Sequence, residues 1–199
     1  MSTAGREIVG RENNFLDHNV REPAQSRGSC HQCSREFLMT ATPDTPVLLA
    51  LDARVRETGW AVFKDGGVIE SEVTGLSTRR KLEPEVRVSH LIESLDGLAG
   101  RWNPQSVALC QPSGINWPVP ALDLLISSLA AWPSERGLPQ FSYTAQEVRT
   151  AIAGHPNASR DQLGYAIMLL LGLIGQSRST HEWEAIAVGH YHHTRLARV

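Results

Sequence analysis

Cysteine is scarce in this chain. There are three, Cys30, Cys33 and Cys110, among 199 residues. An odd, sparse set excludes a disulfide framework and points to a reducing compartment, so a cytoplasmic protein is expected. Long apolar runs are missing as well. No stretch approaches the length that spans a bilayer, and the N-terminus lacks the apolar core of an export signal, so no membrane segment is expected. Charge of one sign is also lacking. With 19 basic and 21 acidic residues the formal charge is −2, which gives no global attraction to nucleic acid. Any DNA site must be a local basic patch.

Apolar residues make up 41% of the chain, enough for a packed core. They are unevenly spread. Residues 1–46 are polar, mixed in charge and without apolar periodicity, and they end in a Pro43 and Pro46 segment. They read as a disordered or weakly ordered tail. Met39, eight residues before the first clear strand, leaves open that translation starts there. The tail holds Cys30, His31 and Cys33 in a CHQC run. That is half of a zinc site without a second half, since zinc takes four ligands, and an inert tail is the simpler reading.

The domain is expected over 47–199. VLLALDA (47–53) is a buried central strand ending in an acid. TGWAVFK (58–64) and GVIESEVT (67–74) follow as strands around a tight turn at Asp65, Gly66 and Gly67. The apolar spacing predicts an amphipathic helix over 83–101. A buried strand at 106–110, a helix at 121–132 after Pro118 and Pro120, and a strand at 141–144 come next. Helices are expected at 145–153, 159–173 and 181–196. Three antiparallel strands followed by α-β-α-β-α predict an α/β fold. Its sheet is mixed and five-stranded, with three antiparallel strands, then two parallel ones, and helices on both faces.

Asp52 closes the first strand. A carboxylate at the end of a buried apolar strand is costly unless it is paired or binds a cation. It could equally accept hydrogen bonds from the following turn. In THEWEAIAVGHYHH (180–193), His181 and Glu184 are three apart and share a helical face, while Glu182 points elsewhere. The small apolar AIAV that follows lets this helix pack closely on a sheet. Such polar residues suit a metal site facing the strand ends, or simply an acidic first turn favoured by the helix dipole.

Four segments, in one order over roughly 47–193, resemble the RuvC family of Holliday-junction resolvases. ALDARVRETGWAVF resembles its first-strand motif, and SVALCQ lies where it has a second acidic strand end. YTAQEVRTAIAGHPNASRDQLGYAIMLLLGL resembles its tyrosine strand, basic residue, glycine and second basic residue. HEWEAIAVGHYH resembles its paired-acid C-terminal helix. The resemblance implies an RNase-H-like fold and metal-assisted hydrolysis of phosphodiesters in four-way DNA junctions by a homodimer. In that family carboxylates hold two magnesium ions. By position, Asp52, His181 and Glu184 are the implied catalytic and metal-holding residues, and Arg149 and Arg160 the implied DNA contacts.

The chain departs from the family pattern at Cys110, which stands where the family has a glutamate on the fourth strand. A thiol supplies no hard oxygen for magnesium. A shift toward manganese, or a junction-binding protein without catalysis, is the alternative that this substitution raises. Sugar kinases and other ATPases share the core fold, but they need Gly-rich phosphate turns, of which there is no convincing pair. Trp117, in the loop PSGINWPVP (112–120), is expected either to stack on a base or to cover the core edge. Arg79, Arg80 and Lys81 form a basic run that is either a DNA contact or a solvated patch. His190, His192 and His193 are expected at a solvated helix end.

Overall fold

A computed structural model describes residues 45–54, 56–75, 82–111 and 119–197. The tail with CHQC, the basic run Arg79–Lys81 and the loop with Trp117 lie outside the described residues. Strand β1 (Leu48–Asp52) is buried at every position, as a central strand covered on both faces must be. Strands β2 (Glu57–Lys64) and β3 (Gly67–Gly75) form an antiparallel hairpin. Its turn residues Asp65 and Gly66 have φ of 54° and 75°, the left-handed pair that matches the twist of a two-residue hairpin.

Helix α1 (Pro84–Trp102) crosses over to β4 (Ser106–Gln111), which runs parallel to β1. Helix α2 (Pro120–Glu135) crosses over to β5 (Gln140–Thr144), parallel to β4. The sheet order is β3-β2-β1-β4-β5. Helices α3 (Ala145–Ala153), α4 (Arg160–Leu170) and α5 (Thr180–Leu196) complete the chain. Each of these three begins with a capping box, from Thr144 with Glu147, Ser159 with Gln162, and Ser179 with Glu182. The reciprocal bonds satisfy backbone donors that a helix start leaves open. Thr144 is both the last residue of β5 and the cap of α3, so no loop separates them.

Strand alternation sends successive side chains to opposite faces. Leu49, Leu51, Trp60, Val62, Val107 and Leu109 face α1 and α2, where they meet Leu91, Leu95, Leu98, Leu125, Leu129 and Trp132. Leu48, Ala50, Ala61, Phe63, Ala108 and Cys110 face the other way, toward Val148, Leu163, Ile167 and the Ala185–Val188 stretch of α5. The helices therefore cover both faces, as the element order predicts.

Three details differ from the sequence reading. Helix α2 runs to Glu135 rather than stopping before Pro133. A proline in the last turn removes one donor near a helix end that is fraying anyway. Helix α4 ends at Leu170 rather than 173. Gly172 adopts φ 66° there and Leu173 N–H donates to the Met168 carbonyl at 2.9 Å, closing the helix. The third correction concerns the histidines. His192 is not at a solvated helix end: it is buried, its Nδ1 is 2.8 Å from the Tyr143 hydroxyl, and its ring packs on Phe141. His193 packs against Phe63. The C-terminal half of α5 lies across the sheet, and no local pattern in the helix reveals that.

Candidate active site

Asp52 and Cys110 are register partners at the ends of β1 and β4, and alternation turns both toward α5. The third contributor arrives by close approach. Asp52 pairs in register with Gly59 of β2. A Cβ at Gly59 would overlap the backbone carbonyl of His181. Only glycine lets the first turn of α5 lie this near the strand. The result is that His181 Nδ1–H donates to Asp52 Oδ2 at 2.9 Å, and the same nitrogen lies 3.5 Å from Glu184 Oε2. Ligand-type atoms of Asp52, His181 and Glu184 all fall within 4.8 Å of one another. Glu182 does point elsewhere, capping α5 and accepting a hydrogen bond from Ser71.

Three guanidinium groups surround the two carboxylates. Arg149 Nη2 is 3.5 Å and Arg160 Nε 3.4 Å from Glu184 Oε1. Arg54 reaches both acids, with Nε 3.3 Å from Asp52 Oδ2 and Nη2 3.6 Å from Glu184 Oε2. The sequence reading did not single out Arg54. The signal was present, since a residue two beyond Asp52 in an extended chain returns to the same side. Glu57, 3.8 Å from His181 Nε2, was also missed.

The electrostatics separate the two acids. Burial alone pushes the Asp52 carboxyl upward, but the hydrogen bond from His181 and the charge of Arg54 outweigh it and hold it below its usual range. Burial raises Glu184, and the neighbouring charge of Asp52 raises it further, against Arg54 and Arg160. The hydrogen bond to Asp52 raises His181 against the opposing effect of burial. Burial, helped by the charge of Asp52, lifts the Cys110 thiol to about 12. In these surroundings it is a neutral thiol at physiological pH, and its sulfur is a poor partner for a hard ion such as magnesium.

Among the described residues, Asp52 Oδ1 and Glu184 Oε2 are buried without a hydrogen bond, with Arg54 and His181 at 3.6 and 3.5 Å from Glu184 Oε2. Buried carboxylate oxygens are normally satisfied. Two such oxygens beside an imidazole form a donor set that fits one divalent ion. With Cys110 a neutral thiol, a second ion has no carboxylate at that position to hold it.

The family model for crossover junction endodeoxyribonuclease RuvC matches residues 48–192. The chain belongs to the RuvC family. A RuvC of Maricaulis maris is 27% identical over 152 residues, which is 74% of this chain and 92% of that protein. The structure of Thermus thermophilus RuvC in complex with Holliday junction substrate superimposes with a TM-score of 0.65. It has 18% identity and covers 77% of this chain and 96% of that one. The yeast mitochondrial Holliday junction resolvase Ydc2 gives 0.51 at 16% identity, over 75% and 79% of the two chains. At these identities the structural likeness shows a shared fold. RuvC proteins are metal-dependent endonucleases, and Asp52, His181 and Glu184 form a cluster that could hold a metal ion. Among the described residues, no helix is long and apolar enough to cross a membrane.

Proposed function

We propose that this RuvC-family protein is a cytoplasmic endonuclease that hydrolyses phosphodiesters in Holliday junctions and related branched DNA, using Asp52, His181 and Glu184 to hold a divalent metal. The observation that carries the reading is the convergence of those three side chains, with one buried oxygen of each carboxylate unbonded among the described residues. The nuclease module is residues 47–199, and residues 1–46 are a tail outside it. Two symmetric cuts in a four-way junction call for two sites related by a twofold axis, so the working unit is a homodimer.

A bound magnesium or manganese ion supplies Lewis-acid activation of water and charge stabilisation at the phosphorus. The remaining work falls to side chains. Asp52, fixed by His181 and Arg54, stays ionised well below neutral pH. His181 Nδ1 carries a proton when it bonds to Asp52 and must give it up before it serves as a ligand. That makes metal affinity rise with pH. A nitrogen ligand favours manganese over magnesium. Arg149 and Arg160 flank Glu184 and present planar donors that grip phosphate oxygens and set the strand against the carboxylates.

The test is a cleavage assay on a synthetic four-way junction with magnesium or manganese. Metal-dependent cutting that Asp52→Asn abolishes is the expected result. Asn keeps the shape of Asp but removes the charge that binds the ion. A specific observation favours a second reading, a junction-binding protein that does not cut: guanidinium groups outnumber carboxylates, and Cys110 supplies no hard oxygen. Tight junction binding with no cleavage in either metal selects that reading instead.

A further inference from the structure

Arg54 belongs to two places at once. Its guanidinium spans Asp52 Oδ2 and Glu184 Oε2, at 3.3 and 3.6 Å, so it lies against the same carboxylate pair that would hold a divalent ion and shares Glu184 Oε2 with that donor set. The same side chain lines a narrow, partly apolar cleft together with Arg56, Thr58, Thr74 and Arg87. The walls of that cleft are the start of β2, the end of β3 and the first turns of α1 and α2. Among the described residues Arg87 Nε is buried without an acceptor, and a buried donor left unpaired is costly until an acceptor such as a phosphate oxygen reaches it. Three arginines therefore line a cleft in which Glu57 is the lone carboxylate among the lining residues.

A cation lodged between two carboxylates competes with a metal for Glu184 Oε2 and for the negative charge of the pair. A phosphodiester competes for the cation. Guanidinium binds phosphate through two parallel hydrogen bonds, and a long arginine side chain reorients without moving its backbone. Arg54 is also not sealed in: its side chain keeps 27% of its surface exposed, against 1% and 5% for Asp52 and Glu184.

We infer that Arg54 holds the cation position of the carboxylate pair in the DNA-free protein, and yields it to a divalent metal when a phosphodiester of the DNA strand enters the cleft lined by Arg54, Arg56 and Arg87. This rests on the metal-nuclease reading of the site. Metal and DNA then bind with positive coupling, and the coupling is reciprocal by linkage. The free protein carries little metal and is loaded on its substrate.

The experiment measures manganese binding by the loss of the free-ion EPR signal. Wild type, Arg54→Ala and Arg54→Lys are each titrated with and without a four-way junction whose core linkages are phosphorothioates that resist cutting. Without DNA, Arg54→Ala should bind manganese about tenfold more tightly than wild type, a shift typical of coupled sites. The junction should tighten manganese binding in wild type by about tenfold more than in Arg54→Ala, because the variant has no cation left to displace. Arg54→Lys keeps the charge but cannot span two carboxylates, so it should fall between them. It carries the comparison if circular dichroism shows that Arg54→Ala does not fold. Equal manganese affinity of wild type and both variants without DNA overturns the inference, as does equal tightening by the junction. If no protein binds manganese with or without junction, the metal reading of the site fails and takes this inference with it. Manganese binding that Asp52→Asn removes but Arg54 variants leave unchanged overturns the inference alone.

Discussion

The two faces of the sheet are filled by side chains of different size. Toward α1 and α2, strands β1, β2 and β4 present Leu49, Leu51, Trp60, Val62, Val107 and Leu109. Toward α5 the same strands present Ala50, Ala61 and Ala108 beside Leu48 and Phe63, and Gly59 lies under His181. Gly189 of α5 likewise leaves no room for a Cβ against Phe63. The first face buries large apolar area, the main favourable term in folding. The second gives up area for proximity, and proximity lets a helix side chain touch a strand-end carboxylate. Both faces bury an apolar core, and only the α5 face also carries the small residues that admit the site.

The largest effect should come from the large-residue face. Leu95→Ala removes a side chain with no exposed surface, and a cavity of that kind costs about 2–5 kcal/mol. Urea denaturation measures it. Manganese affinity of the folded variant should be unchanged. Gly59→Ala should also cost stability, about 1–3 kcal/mol for overpacking, because the added Cβ meets the His181 backbone and the first turn of α5 must shift. That shift carries His181 away from Asp52, so manganese affinity and junction cleavage should fall sharply. If Leu95→Ala weakens manganese binding as much as Gly59→Ala does, the assignment of the site to the α5 face alone is wrong.

Much of this arrangement was legible beforehand, and the parts that were not have a common cause. Strand β1 announced itself as an apolar run ending in Asp52, and the hairpin by its Asp-Gly turn, because those signals are local. His181 and Glu184 were legible as one helical face. Their approach to Asp52 was not readable from residues alone and came from resemblance to the RuvC pattern, since the contact joins positions 129 residues apart. The role of Gly59 was invisible for the same reason: its missing Cβ matters only once α5 lies on it. His192 was misjudged because its partner Tyr143 is 49 residues away. Arg54 is the instructive omission. It stands two residues from Asp52, well within local reach, but a lone arginine after a strand reads as solvated until Glu184 arrives beside it.

The smallest predicted effect contrasts the two ends of α5, each of which holds histidine in a different setting. At the N-terminal end the hydrogen bond to Asp52 raises the pKa of His181. Its contribution to stability is therefore fully present below the unfolded value of about 6.5 and is lost as pH rises through the folded value. Asp52 sets the other limit. Its lowered pKa makes its contribution present above the unfolded value of about 3.9 and lost as pH falls through the folded value. At the C-terminal end burial lowers the pKa of His192, so the sign reverses: its native environment favours the neutral ring, and stability is lost as pH falls through its folded value. The pH dependence of wild type mixes these slopes, and difference curves separate them. Subtracting the stability of His181→Gln from wild type across pH 5 to 9 should give an advantage that shrinks as pH rises. Subtracting that of His192→Gln should give one that shrinks as pH falls, because the ring must then charge beside Tyr143 and Phe141. Parallel difference curves would mean that the two ends of α5 do not differ in their electrostatics, and that the His181–Asp52 bond adds nothing that burial of a histidine does not.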